Sequence, residues 1–255
     1  MRKQPLRKPG LYRTGSVSPQ LRRQLTVGRD AVLRDTLDHI RSGLDRKSKH
    51  HFLFLGPRGI GKTHFLKLIE DGVAEDPRLV NRIVVARFPE ESLGTLSFAD
   101  FLVRLVRVVA DSLPAEQSWE ALYKIVSANP DTDEVIDTVV PAIRKANNQD
   151  GRTILILLEN LNEMFSANSE KRKTSGAMRK FFMDKNGCQL VATAPTYFDA
   201  VTDVAQPFYD FFDTQVLEAL TKEHVVTLMQ RHIDAFERGD DLDVRGVSAN
   251  VDVDT

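Results

Sequence analysis

Gly56-Pro57-Arg58-Gly59-Ile60-Gly61-Lys62-Thr63 fills every fixed position of the phosphate-cradling pattern G-x-x-x-x-G-K-[ST]. Working outward, His51-Phe52-Leu53-Phe54-Leu55 is a short apolar run that reads as a buried strand. On the other side, His64-Phe65-Leu66-Lys67-Leu68-Ile69 carries apolar residues at helical spacing. Strand, glycine loop and helix together aim backbone N–H groups and a helix N-terminus at an anion. The glycines let the loop close around phosphate oxygens, Lys62 reaches the β- and γ-phosphates, and the Thr63 hydroxyl suits Mg²⁺. Gly56, Pro57, Arg58, Gly59, Ile60, Gly61, Lys62, Thr63 and His64 are therefore the expected phosphate-binding set. The pattern points to a bound nucleoside triphosphate.

Composition narrows the rest. A chain of 255 residues with 42% hydrophobic residues can build one large α/β domain with a small appendage. The single Cys188 excludes an internal disulfide and a cysteine-based zinc site; after Gly187 and before an apolar run it reads as a buried thiol. No stretch approaches the ~18 apolar residues that span a bilayer, and the basic N-terminus lacks the apolar segment of a signal peptide. The expected compartment is the cytoplasm, with no membrane partner.

The net charge of −1 hides a gradient. Arg2, Lys3, Arg7, Lys8, Arg13, Arg22 and Arg23 precede the first acid, Asp30, while residues 240–255 are acidic. Such an arm suits nucleic acid, an acidic partner or solvent, and Tyr12 is its one residue able to stack on a base. Residues 1–25 and 240–255 lack periodicity and are expected to be disordered.

Between them strands and helices alternate. Ile83–Phe88, Thr153–Leu158, Gln189–Thr193 and Thr214–Leu217 read as strands. Helical spacing covers about 32–44, 64–72, 98–109, 119–126, 135–143, 175–184 and 225–236, with a kink or break expected at Pro141. This order predicts an α/β fold of three layers, a five-stranded parallel sheet flanked by helices, with right-handed crossovers. Ligands bind beyond the carboxyl ends of such strands, so the glycine loop and the other strand ends converge.

A nucleotide hydrolase needs an acid for the Mg²⁺ shell and a group to orient the attacking water. The acid is expected at the end of the apolar strand beside the glycine-loop strand, which puts Glu159 there. A carboxylate ending so apolar a run is costly unless paired, and a metal partner accounts for it.

With these pieces the chain resembles the AAA+ ATPases, in particular their initiator-like and signalling branch. The resemblance rests on Val27-Gly28-Arg29, the loop at 56–63, the strand ending at Glu159, and Thr193, and it covers about residues 26–236. It implies a P-loop NTPase fold with a helical lid, and ATP and Mg²⁺ as cofactors. It further implies that Val27 and Gly28 pack near adenine, that Thr63 and Glu159 serve the metal, and that Thr193 senses the γ-phosphate (with Thr196 the alternative). Protein partners or a homo-oligomer are implied too.

The chain departs from the family in three ways. Glu159-Asn160 stands where Asp-Glu is usual, and a neutral amide cannot accept a proton. Between Cys188 and Gln230 the only basic side chains are Lys222 and His224, so the usual arginine after the fourth strand is missing. The lid shrinks to one helix, with Arg231 as its nearby arginine. Asn160 and the acids Glu90 and Glu91 after the second strand form a candidate exchange, a glutamate from the second strand facing the water. The alternative is that Glu90 and Glu91 are solvated loop acids.

The expected layout is a basic arm at 1–25, a nucleotide-binding domain at 26–220, a remnant or start of a lid at 221–239 and a tail at 240–255, the whole a candidate fragment of a longer protein. Tyr197, Phe198, Phe208, Tyr209, Phe211 and Phe212 read as core lining for the truncated lid or as a docking surface. Lys171-Arg172-Lys173 with Arg179-Lys180 read as a solvated face or a contact to DNA or a neighbouring nucleotide. The leading reading is a slow, Mg²⁺-dependent ATPase acting as the motor or switch of a larger assembly. A non-hydrolytic ATP-binding module is the alternative, and a small-molecule kinase is disfavoured because no arginine-rich lid follows the third or fourth strand.

Overall fold

Continuous apolar runs in the strands and helical spacing between them call for a sheet covered on both faces. The computed structural model has that build. It describes residues 18–46, 49–88, 97–128, 132–165, 169–184 and 188–238. The contacts divide the chain into two units.

The larger unit, residues 32–219, holds the sheet. After helices α1 (Pro19–Gln24) and α2 (Asp30–Gly43) come β1 (Phe52–Leu55), α3 (Lys62–Glu75) and β2 (Ile83–Arg87). Three helices follow, α4 (Phe98–Ser112), α5 (Gln117–Ala128) and α6 (Thr132–Gln149), and lead to β3 (Thr153–Leu158). Then come a 3₁₀ turn at Leu161–Met164, α7 (Ser169–Met183), β4 (Gln189–Ala194), the short α8 (Asp199–Thr202) and β5 (Asp213–Val216).

The five strands are parallel in the order β2-β3-β4-β1-β5. This corrects the expectation that the strand ending at Glu159 lies beside β1. β4 sits between them, with Phe54 opposite Thr193 on one side and Leu158 opposite Ala192 on the other. Strand adjacency is set by the crossovers, and an apolar run does not encode it.

Alternation sorts the side chains into two cores. Leu53, Leu55, Ile154, Ile156, Leu158, Leu190 and Ala192 pack against α4 to α7. Phe52, Phe54, Leu155, Leu157 and Val191 face α2 and α3, meeting Leu33, Ile40, Phe65, Leu66 and Ile69. The sheet with a helical layer on each face is the expected three-layer α/β fold.

Three local expectations need adjusting. α6 continues through Pro141 without the break allowed for there; the ring lies on the exposed side while Val135, Val139 and Ile143 bury the opposite stripe, and that packing outweighs the lost backbone bond. α7 begins at Ser169, ahead of the expected start. Among the aromatics after β4, Phe208 is fully buried and Phe198, Phe211 and Phe212 pack against the α4–α7 core, so they line the sheet rather than a lid. Tyr197 and Tyr209 stay exposed.

In the smaller unit α1 interrupts the segment read as irregular; Ser18 caps it through Leu21 N–H at 3.3 Å. α9 (Lys222–Glu237) is the one described helix after β5. Arg231 donates to the carbonyls of Gln24 (3.0 Å) and Thr26, tying α9 to the chain after α1. Among the described residues no helix is long and apolar enough to cross a membrane.

His51, just before β1, carries a testable consequence. Its ring stacks on Phe211 at 4.5 Å, and its Nδ1 accepts the Leu190 N–H at 3.1 Å. Burial lowers its pKa to about 4, so the folded chain holds it neutral. As pH falls below about 6.5 the unfolded chain gains a proton that the folded chain does not take up until about 4. Stability contributed by His51 is therefore lost across that window. Urea melts near pH 7 and near pH 5 should differ by roughly 2 kcal/mol from this residue. His51→Phe should flatten the pH dependence by that amount; an unchanged slope would show that His51 is not the buried titrating group.

Candidate nucleotide and metal site

The glycine loop turns from β1 into α3 through two left-handed residues, Gly59 (φ 86°) and Gly61 (φ 96°), a conformation that side chains disfavour. Gly56 is required for another reason: a Cβ there would lie 2.8 Å from Ile60 Cγ2. Pro57, Arg58 and Gly59 form an exposed crest, and Lys62, Thr63 and His64 make the first turn of α3. Lys62 Nζ folds back onto the loop, donating to the carbonyls of Gly56 (2.7 Å) and Pro57 (3.0 Å). The ammonium thus lies within the loop that is to receive phosphate oxygens.

Opposite the loop, Glu159 follows β3 with a side chain only 6% exposed. The Thr63 hydroxyl donates to Glu159 Oε2 even though β4 separates their strands. Asn160 takes a left-handed conformation (φ 53°), which Asn tolerates better than most residues. Its N–H points to Thr193 Oγ1 at 3.4 Å. Thr193 is fully buried within β4, one residue before the strand ends, and fastens the end of β4 to the end of β3. The structure therefore gathers Lys62, Thr63, Glu159, Asn160 and Thr193 at the carboxyl edge of the sheet. Glu90 and Glu91 lie outside the described residues, as do the side chains of Lys171, Arg172 and Lys173.

Val27 and Gly28 belong to the smaller unit. Gly28 has φ 69°, and a Cβ there would lie 2.9 Å from the His224 ring, so His224 closes over the Val27-Gly28 turn.

The residue sequence reading missed is Arg87. It ends β2 and reaches the end of the adjacent β3, donating to Glu159 Oε1 at 3.2 Å and to Glu70 Oε2 at 3.4 Å. Glu70, on α3, also pairs with Lys67 at 2.8 Å. The signal was present: one charge closes the apolar run Ile83-Val84-Val85-Ala86, just as Glu159 closes its own strand.

The other arginines considered for the phosphates have different work. Arg179 donates to the carbonyls of Pro207 and Tyr209 and lies over the Phe211 ring at 5.7 Å, bracing the loop before β5. Arg231 is engaged within the smaller unit, as described above.

The donor set fits Mg²⁺. A hydroxyl and a carboxylate side by side are hard oxygen ligands, and Mg²⁺ takes one or two such groups, completing its shell with water and substrate phosphates. Among the described residues no group of three or more His, Cys, Asp or Glu is placed to hold a metal ion.

No family model matches the chain. Solved structures are similar to it in fold. A Walker-type ATPase of Pyrococcus abyssi matches with a TM-score of 0.57 at 11% identity, over 85% of this chain and 60% of that one. The Aeropyrum pernix ORC1 protein, solved in complex with DNA, matches at 0.54 and 13% identity, over 84% and 53%. A chain of the E. coli HORMA:CdnC:Trip13 complex matches at 0.55 and 14% identity, over 90% and 75%. The chain thus spans little more than half the length of the first two. With its sheet order, its glycine loop and these likenesses, the chain has the P-loop fold of the AAA+ ATPases.

Proposed function

We propose that the chain binds Mg²⁺-ATP and hydrolyses it slowly, as the motor or switch module of a larger assembly. The observation that carries this reading is the contact between Thr63 and Glu159, which brings a hydroxyl and a carboxylate together beside the glycine loop. In this role Lys62 moves from the loop carbonyls to the β- and γ-phosphates, and the loop N–H groups hold the remaining oxygens. Thr63 and Glu159 would hold the metal. Mg²⁺, when bound, neutralises charge on the phosphate oxygens. Thr193, tied to Asn160, keeps the two strand ends in register as the γ-phosphate comes and goes. The absence of a guanine-reading Asn-Lys-x-Asp motif supports ATP over GTP, with Val27 and Gly28 the proposed adenine neighbours.

The larger assembly is proposed to contain protein partners or further copies of the chain, with nucleic acid reached through the basic arm at 1–25. Support comes from likeness in fold to proteins that were solved with DNA or as a multiprotein complex.

Lys62→Ala tests the site. It removes a charge-assisted contact that backbone amides cannot replace. ATP affinity measured by calorimetry should fall at least about tenfold, or ~1.4 kcal/mol. Unchanged affinity in a folded variant would remove the phosphate-loop reading. Binding without turnover in the parent chain would leave a non-hydrolytic module.

A further inference from the structure

Glu159 already has a cation. Among the described residues its one ionic partner is Arg87, at 3.2 Å from Oε1, while Oε2 takes the Thr63 hydroxyl. The Arg87 side chain is 26% exposed and shares itself between Glu159 and Glu70. Lys67 binds the other oxygen of Glu70. Two carboxylates and two cations thus alternate from α3 through β2 to β3, and their formal charges cancel. A carboxylate as enclosed as Glu159 is costly without such a partner.

Resting on the metal site proposed above, we propose that Arg87 is a positioning residue that also competes with the metal for Glu159. Its guanidinium holds Oε1 so that Oε2 faces Thr63, and its charge repels a divalent cation arriving alone. A cation carrying ATP brings the phosphate charge that overcomes this repulsion. Free Mg²⁺ is therefore excluded, and metal enters only with nucleotide. Glu70 is the alternative seat for Arg87: the guanidinium already touches it, so Arg87 shifts toward Glu70 as the metal takes its share of Glu159. The device lies in the charge order Lys67, Glu70, Arg87, Glu159, read along a single chain of contacts.

The test uses Mn²⁺ alone, followed by electron paramagnetic resonance on nucleotide-free protein, so it does not depend on catalysis. The parent chain should bind Mn²⁺ weakly. Arg87→Gln should bind it at least about tenfold more tightly, since a unit charge a few ångströms from a divalent ion in a partly buried site acts at that scale. Arg87→Lys keeps the charge and should stay close to the parent. Adding Glu159→Gln to Arg87→Gln should abolish the gain. Equal Mn²⁺ affinity in folded Arg87→Gln and parent would overturn the proposal.

Glu70→Gln supplies an independent arm if Arg87→Gln does not fold. With its alternative seat gone, Arg87 stays on Glu159, and half-maximal ATP binding should need about tenfold more Mg²⁺. No change in that requirement would also overturn it. A parent chain that binds no ATP under any condition would sink the proposed function instead, while the Mn²⁺ comparison would still judge Arg87.

Discussion

Supplied with an arginine from a partner or from a second copy, the chain should hydrolyse ATP about 10³-fold or more faster than it does alone. The transition state for γ-phosphoryl transfer spreads negative charge over its equatorial oxygens, and a missing arginine costs rate on that scale. The segment from Cys188 to Gln230 supplies only Lys222 and His224. Elsewhere Arg172, Arg179 and Arg231 are the candidates, and the side chain of Arg172 lies outside the described residues. Arg179 braces the Pro207 and Tyr209 carbonyls, Arg231 holds those of Gln24 and Thr26, and Arg87 is shared by two carboxylates. Moving any of these would break contacts that hold the loop before β5, the smaller unit or Glu159. The cation that completes the site is therefore expected from Arg172 or from outside the chain. Specific activity should rise steeply with protein concentration or on adding the partner, and remain low at high dilution. Rapid hydrolysis by monomer, independent of concentration, would contradict this.

Local pattern carried the reading a long way, and its limits are physical. The strands of the larger unit were visible because buried parallel strands are short β-branched or aliphatic runs, as in Thr153–Leu158. The loop was visible because binding phosphate by backbone demands glycine at fixed places, and Gly56, Gly59 and Gly61 each answer to a contact or a positive φ. What local pattern could not give was adjacency. Nothing in Gln189–Ala194 says that it lies between β1 and β3, because that depends on crossovers of many residues. For the same reason Arg87 was read as one more position within the strand Ile83–Phe88; only the pairing of β2 with β3, which sets Arg87 opposite Leu157, brings it to Glu159. Pro141 departs in the other direction, since the helix does not break there. The residue's intrinsic preference was read correctly, and the buried stripe of α6 overrode it.

The water-activating group gives the other large effect. Asn160 occupies the place where a proton acceptor is usual in the resembling family, and an amide cannot serve. Its left-handed backbone and the N–H directed at Thr193 give it a positioning part at the strand end instead. β2 runs parallel to β3 and ends at Arg87 beside Glu159, so the chain leaves β2 at the edge of the sheet where the site lies. Glu90 and Glu91 follow after Phe88 and Pro89 in sequence, and one of them is proposed to face the water. A placed general base contributes about 10²- to 10⁴-fold. Glu90→Gln or Glu91→Gln should therefore slow single-turnover hydrolysis at saturating Mg²⁺-ATP by such a factor and leave ATP affinity unchanged. Asn160→Glu probes the opposite case. It restores an acid, at the strain of placing a longer side chain at φ 53°, on the order of 1 kcal/mol. If both glutamine variants match the parent while Asn160→Glu gains activity, no acid after β2 has taken over the proton. The parent chain would then hold its nucleotide without a base to spend it, and occupancy rather than turnover would set its state.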